Sequence, residues 1–107
     1  MKYVVDIDGT ICTQTNGDYE DAVPYEARIA QINRLYDEGH HITYLTARGM
    51  GRTNSVDLAT SMFYNLTRAQ LDAWQCKYHE LILGKPSGDY YIDDKAVHAD
   101  EFFEGGK

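Results

Sequence analysis

The chain has 107 residues and a formal net charge of −7, from 17 acidic and 10 basic side chains. This length predicts a single domain over residues 1–107. The apolar runs are too short to cross a membrane, and Asp6 interrupts the start of the chain where a secretory signal would be apolar. We therefore expect a cytoplasmic protein that does not bind membranes and whose acidic charge disfavours nucleic acid as a partner.

Apolar residues with alternating or helical spacing predict the secondary structure. The predicted elements are a strand over 2–7, a loop over 13–23, a helix from Pro24 to Gly39, a strand over 41–45, a short helix over 55–63, a helix that begins at a capping box on Thr67, a strand over 80–83, a fourth strand over 90–92 and a helical turn near Phe102. Strands that alternate with helices in this order predict a mostly parallel α/β sheet.

Polar residues stand where each predicted strand ends. In a parallel sheet these ends meet at one edge, and ligands bind there. Crowded carboxylates at such an edge repel one another unless a hard cation neutralises them, and oxygen ligands favour Mg²⁺. The segments that reach this edge are Asp6-Ile7-Asp8-Gly9-Thr10, Thr46-Ala47-Arg48, Lys85 and Asp93-Asp94.

The first of these segments predicts chemistry on phosphate. Asp6 and Asp8 are two residues apart, so on a regular strand both point to the same side. One carboxylate can attack phosphorus while the other handles the proton of the leaving group. The Gly9-Thr10 turn can bring backbone N–H groups to the transferred oxygens. Arg48 and Arg52 are either surface charges or contacts to the substrate phosphate.

The order of these motifs, over about residues 2–103, resembles that of haloacid dehalogenase (HAD) superfamily phosphatases. A finer pattern is similar to the capsule-biosynthesis phosphatases of that superfamily. The resemblance implies a small Rossmann-like, mostly parallel α/β sheet with flanking helices. The chain departs from the larger superfamily in having no cap domain, because the roughly ten residues after Thr13 are too few for one and residues 47–64 can form at most a flap. The finer pattern consists of Gly17-Asp18-Tyr19, Thr46-Ala47-Arg48, Gly84-Lys85-Pro86 and Tyr91-Ile92-Asp93-Asp94-Lys95-Ala96.

The resemblance also implies roles for individual residues. Asp6 would be the nucleophile and a Mg²⁺ ligand. Asp8 would act first as general acid and then as general base, and would bind Mg²⁺ through its backbone carbonyl. Asp93 or Asp94 would complete the metal site, and the doublet leaves open which one does so directly. The residues expected to bind the phosphoryl group or the substrate are Thr46 and Lys85, with Gly9, Thr10, Ala47, Arg48 and Arg52 around them.

The link between the third and fourth predicted strands is short. Only residues 84–89 separate them, whereas a parallel crossover usually needs a dozen or more residues. The chain either returns fully extended, which leaves Lys85 at the ligand-binding edge, or forms a hairpin, which carries Lys85 to the opposite edge. Without a cap domain the site is open to water unless a neighbouring subunit covers it, which is compatible with a homo-oligomer.

Three functions follow from these observations. The first is Mg²⁺-dependent phosphomonoester hydrolysis through an aspartyl-phosphate, for which the resemblance to the capsule-biosynthesis phosphatases implies a small sugar or polyol phosphate of cell-surface polysaccharide synthesis as the substrate. The second is a polynucleotide 3′-phosphatase, because end-healing phosphatases share the Thr-Ala-Arg feature, although the net charge of −7 disfavours it. The third is a non-enzymatic phosphoacceptor module similar to receiver domains, which lack the second Asp of the Asp6–Asp8 pair.

Overall fold

The computed structural model describes residues 1–104 of the chain. Within them, three parallel strands form one sheet in the order β1-β2-β3. The strands are β1 (Lys2–Val5), β2 (His41–Thr46) and β3 (Glu80–Leu83), and the helices are α1 (Glu26–Asp37), α2 (Met50–Thr53), α3 (Val56–Ala73) and α4 (Ala99–Glu104), with a 3₁₀ turn at Tyr19–Asp21.

The core lies between one face of the sheet and the helices α1 and α3. Val5, Tyr44 and Leu81 are in register across the three strands. They are buried in one cluster with Ile32 of α1 and Leu71 of α3. Burial of these side chains from strands and helices far apart in sequence stabilises the fold and fixes which strand ends lie side by side.

The predicted architecture is confirmed: the molecule is an α/β fold with a mostly parallel sheet, flanking helices and no cap domain within the described residues. Between β1 and α1 only the 3₁₀ turn is regular, and between β2 and α3 only the four-residue α2. Within residues 1–104 no helix is both long and apolar enough to cross a membrane.

The prediction of two separate helices in the middle of the chain was wrong. A single helix, α3, runs from Val56 to Ala73 and contains no Gly or Pro that would interrupt it. Ser55 caps its N-terminus, since the Ser55 hydroxyl accepts a hydrogen bond from the Leu58 N–H at 3.3 Å. Thr67, which was predicted to begin a helix, is instead buried in the middle of α3.

The prediction of a fourth strand over 90–92 was also wrong. This segment has no strand structure, and the side chains of Tyr90 and Ile92 are 88% and 98% exposed. Neither the extended return nor the hairpin is present, because the chain does not pair with the sheet again within residues 1–104. The hydrophobic pattern of Tyr90-Tyr91-Ile92 suggested a strand, but the link over 84–89 is shorter than the dozen or more residues that a parallel crossover usually needs.

We expect this segment to contribute little to stability. Ile92→Ala should change the free energy of unfolding by about 0.5 kcal/mol or less, because the side chain is already in water. Ile42→Ala, on the fully buried counterpart in β2, should cost about 2–5 kcal/mol. Urea denaturation measures the free energy of unfolding of both variants and of the unchanged protein. A loss above ~2 kcal/mol at Ile92 would show that the segment is packed.

Candidate active site at the carboxyl edge of the sheet

The carboxyl edge brings together Asp6, which follows β1, and Lys85, which follows β3. The Lys85 Nζ lies 3.6 Å from the Asp6 Oδ1. The Thr10 hydroxyl donates to the Asp6 Oδ2 at 3.2 Å. The N–H groups of Gly84 and Lys85 both donate to the Thr46 carbonyl at 3.2 Å. Lys85 therefore lies at the same edge of the sheet as Asp6. This answers the question, left open by the short link after β3, of which edge Lys85 occupies.

The environment of Asp6 keeps its carboxyl group less acidic than an ordinary aspartate. Partial burial of the side chain raises the pKa of Asp6, since desolvation disfavours the charged form. The nearby Lys85 ammonium and hydrogen bonds from the Ile7 N–H and the Thr10 hydroxyl lower the pKa and offset part of this rise. The Asp6 Oδ1 is thus only weakly paired with Lys85. A weakly paired carboxylate is better suited to act as a nucleophile than one that is locked in a close ion pair.

The side chain of Asp8 is held in place by Arg48. The Arg48 Nε donates to the Asp8 Oδ2 at 2.9 Å, and Nη2 donates to Oδ1 at 3.0 Å. The pair is bidentate, which is the geometry that fixes a carboxylate most firmly. The side chain of Arg48 is fully buried and that of Asp8 is 16% exposed.

Arg48 does not take either role that the sequence suggested. It is 1% exposed, so it is not a surface charge, and its guanidinium is bonded to Asp8 rather than open to a substrate phosphate. Its remaining bonds go to α3, where Nη1 donates to the Thr67 hydroxyl at 3.2 Å and to the Gln70 side-chain oxygen. A contact between Arg48 and substrate, as predicted, is therefore replaced by a contact between Arg48 and Asp8.

The Gly9-Thr10 turn also differs from the prediction. The Gly9 N–H donates to the Cys12 carbonyl at 2.8 Å, and the Thr10 N–H donates to the Ile7 carbonyl at 3.0 Å. These two amides close the turn itself and are not directed at a ligand. Gly9 is required there for its backbone, since its φ of +81° lies in the left-handed region.

Thr46 and Ala47 lie at the end of β2, between the other two strands. Thr46 is 1% exposed, and its hydroxyl accepts the Arg48 N–H at 3.1 Å. The Ala47 carbonyl accepts the Met50 N–H at 2.9 Å, which begins the turn into α2. Both residues are placed at the predicted edge, where Thr46 supports the backbone of Arg48.

Arg52 is exposed and is tied to the loop that follows β1. Its Nη2 donates to the Gly17 carbonyl at 2.8 Å. Its guanidinium carbon lies 6.0 Å from the ring centroid of Tyr19 and 5.5 Å from that of Phe63. Arg52 is thus near the rim on α2, and its contacts in this structure are to the protein.

Asp93 and Asp94 are not brought to Asp6 and Asp8. Both are exposed, and the Asp93 Oδ1 accepts the Lys95 N–H at 3.0 Å. Within residues 1–104, no three His, Cys, Asp or Glu side chains come together in a way that could hold a metal ion. Asp6 and the Asp8 carbonyl are oxygen donors of the kind that Mg²⁺ takes, but this arrangement of the chain does not complete a Mg²⁺ site around them.

Sequence reasoning missed the polar residues of α3 that reach the site. Thr67 and Gln70 are three positions apart, so they share one face of the helix. Gln70 also donates from its amide to the Tyr19 carbonyl at 2.6 Å. Two polar side chains at helical spacing within an otherwise apolar face were the signal that could have identified them.

The comparison with known proteins supports the fold. A crystal structure of a structural-genomics target from Vibrio cholerae is similar to the chain at 32% sequence identity and a TM-score of 0.88. The match covers 96% of this chain and 87% of that one. No protein-family model matches the chain, and no curated protein does so.

Proposed function

We propose that the chain, which belongs to one family with this Vibrio cholerae protein, is a phosphomonoesterase that works through an aspartyl-phosphate on Asp6. The observation that carries the proposal is the 3.6 Å approach of the Lys85 Nζ to the Asp6 Oδ1. A carboxylate with a raised pKa, beside an ammonium group at a ligand-binding sheet edge, is an arrangement suited to attack on phosphorus. The motif order of HAD phosphatases supports the same conclusion.

The proposed reaction has two steps. In the first, a carboxylate oxygen of Asp6 attacks phosphorus, the ester P–O bond breaks, and the leaving oxygen takes a proton from Asp8. In the second, Asp8 takes a proton from water, whose oxygen attacks phosphorus and breaks the bond to Asp6. Phosphate is released and Asp6 is restored. The Lys85 ammonium stabilises the charge on the phosphoryl oxygens in both steps.

A requirement for Mg²⁺ is part of the proposal because phosphoryl transfer gains from a hard cation beside the phosphate. Asp6 and the backbone carbonyl of Asp8 would hold it, with Asp93 or Asp94 as the further ligand expected from the sequence. The described arrangement does not bring that doublet to Asp6, and the roles of Asp6, Asp8 and Lys85 in the two steps need only their own side chains.

The proposed substrate is a small sugar or polyol phosphate of cell-surface polysaccharide synthesis, handled in the cytoplasm. The net charge of −7 opposes binding of a long polyanion, and the absence of a cap domain within residues 1–104 leaves the rim open to substrates of varied shape. The resemblance to capsule-biosynthesis phosphatases supports the sugar or polyol class.

A phosphate-release screen over sugar, nucleotide and DNA-end phosphates, with Mg²⁺ and with EDTA, tests this function. We expect Mg²⁺-dependent release from small sugar or polyol phosphates, with little dependence on salt. Preference for DNA 3′-phosphate ends, with activity that falls steeply as salt rises, would favour the polynucleotide 3′-phosphatase. Stable phosphorylation of Asp6 without turnover would favour the receiver-like module.

Loss of the Lys85 charge should change both the rate and its pH dependence. Lys85→Met removes the ammonium that lowers the pKa of Asp6, so this pKa should rise further. The acidic limb of the kcat/KM profile should therefore move to higher pH, and kcat should fall about 100-fold. Lys77→Met is the matched control, because Lys77 pairs with Asp37 at 2.8 Å, outside the site. An acidic limb that stays in place would contradict this role of Lys85.

A further inference from the structure

Arg48 has the largest side chain among the fully buried residues of the described chain. A buried guanidinium is costly unless a carboxylate neutralises it and its N–H groups are hydrogen-bonded. Asp8 provides the charge and accepts two of the hydrogen bonds. Such a pair contributes little net stability compared with apolar residues of the same size, so its presence beside a catalytic edge calls for another reason.

The guanidinium is also fixed from the side of α3 and from the loop after β1. Thr67 and Gln70 accept hydrogen bonds from Nη1. The ring centroid of Tyr19 lies 4.8 Å from the guanidinium carbon. Gln70 in turn holds the Tyr19 carbonyl, and the Tyr19 hydroxyl accepts the Gly49 N–H at 2.9 Å.

We propose that Arg48 is a positioning residue for Asp8, and that Thr67 and Gln70 position Arg48. This inference rests on the proposed function, in which Asp8 carries the proton to and from the reacting oxygens. A proton donor must stay within hydrogen-bond reach of the leaving oxygen, and the bidentate contact allows the Asp8 carboxyl only one orientation. Because Arg48 is 1% exposed, it acts on the reaction through Asp8 and not by binding the substrate.

The ratio of kcat to KM effects separates positioning from substrate binding. Arg48→Lys keeps the charge but cannot form both contacts to Asp8. We expect kcat to fall about 100-fold, with KM for the sugar phosphate changed less than about 3-fold. Arg68→Lys is the matched control, since Arg68 is exposed on α3 and should leave both constants unchanged. A rise in KM with unchanged kcat would overturn the proposal.

A double-mutant cycle tests whether Arg48 acts through Asp8. If it does, Asp8→Asn and the double variant Asp8→Asn/Arg48→Lys should have kcat values within about 3-fold of each other, because the second change removes nothing that remains in use. A merely structural role for Arg48 would reduce kcat in both backgrounds by the same factor, and that result would overturn the proposal.

If Arg48→Lys fails to fold, Gln70→Met provides a second test of whether Arg48 positions Asp8. It preserves the volume of the side chain and removes one of the two acceptors for Nη1, with Thr67 as the one that remains. We expect a fall in kcat of about 10-fold, again without a change in KM. Unchanged kcat in Gln70→Met would overturn the role of α3. A wild-type chain that hydrolyses no phosphate ester would instead contradict the proposed function itself, and with it the role of Asp8.

Discussion

Asp6→Asn should abolish turnover and at the same time make the protein more stable. The amide is not a nucleophile toward phosphorus, so kcat should fall at least about 10⁴-fold, and no covalent phosphoenzyme should form. Partial burial raises the pKa of Asp6, which means that its ionised form is less favourable in the folded chain than in the unfolded one. Removing the charge should raise Tm at neutral pH, by an amount that solvent screening of the part-exposed side chain keeps small.

The pH dependence of this gain follows from the direction of the pKa shift. The folded-state pKa lies above the unfolded value, so the cost of the charge is absent below both and grows as pH rises through them. The gain in Tm for Asp6→Asn should therefore disappear in acid. Full phosphatase activity in the variant would rule out the covalent mechanism, and a Tm gain that persists at a pH below the ordinary Asp range would contradict the assignment to ionisation.

Asp8→Asn should have the opposite effect on stability. The amide keeps one acceptor for the Arg48 guanidinium but no charge, so a buried cation is left without its counter-ion. Breaking a buried pair by removing one partner costs about 3 kcal/mol or more. The free energy of unfolding, measured in urea, should fall by this amount, whereas Asp6→Asn should raise it.

Asp8→Asn should slow both chemical steps of the reaction. Without the carboxyl group, neither the leaving oxygen nor the attacking water has a partner for its proton, and each step should slow about 10²–10³-fold. Rapid-quench measurement of phosphoenzyme formation and decay distinguishes the two steps. A variant that slows only one of them would assign the other to a different group.

Local patterns in the sequence were sufficient for much of the fold. The apolar run before Asp6 predicts β1, the apolar run over 81–83 predicts β3, and both strands lie where expected. These predictions succeed because neighbouring residues decide them: the period of the apolar side chains specifies the element, and Gly39, whose φ is +95°, ends the first helix. Since parallel strands end at one edge, the sequence also predicted the edge at which Asp6 lies, but the short link left open whether Lys85 reaches it, and the 3.6 Å contact in the structure decides that it does.

Contacts between distant parts of the chain decided the rest. Arg48 lies 40 residues from Asp8 and 22 from Gln70, and nothing local distinguishes it from an exposed arginine. Tyr90-Tyr91-Ile92 has the composition of a strand but no partner within the described residues. The sequence by itself determined the elements and which residue types reach the carboxyl edge. Only the tertiary structure decided that Asp8 pairs with the buried Arg48 and that Asp6 lies beside Lys85, because burial and ion pairing depend on neighbours that only folding brings together.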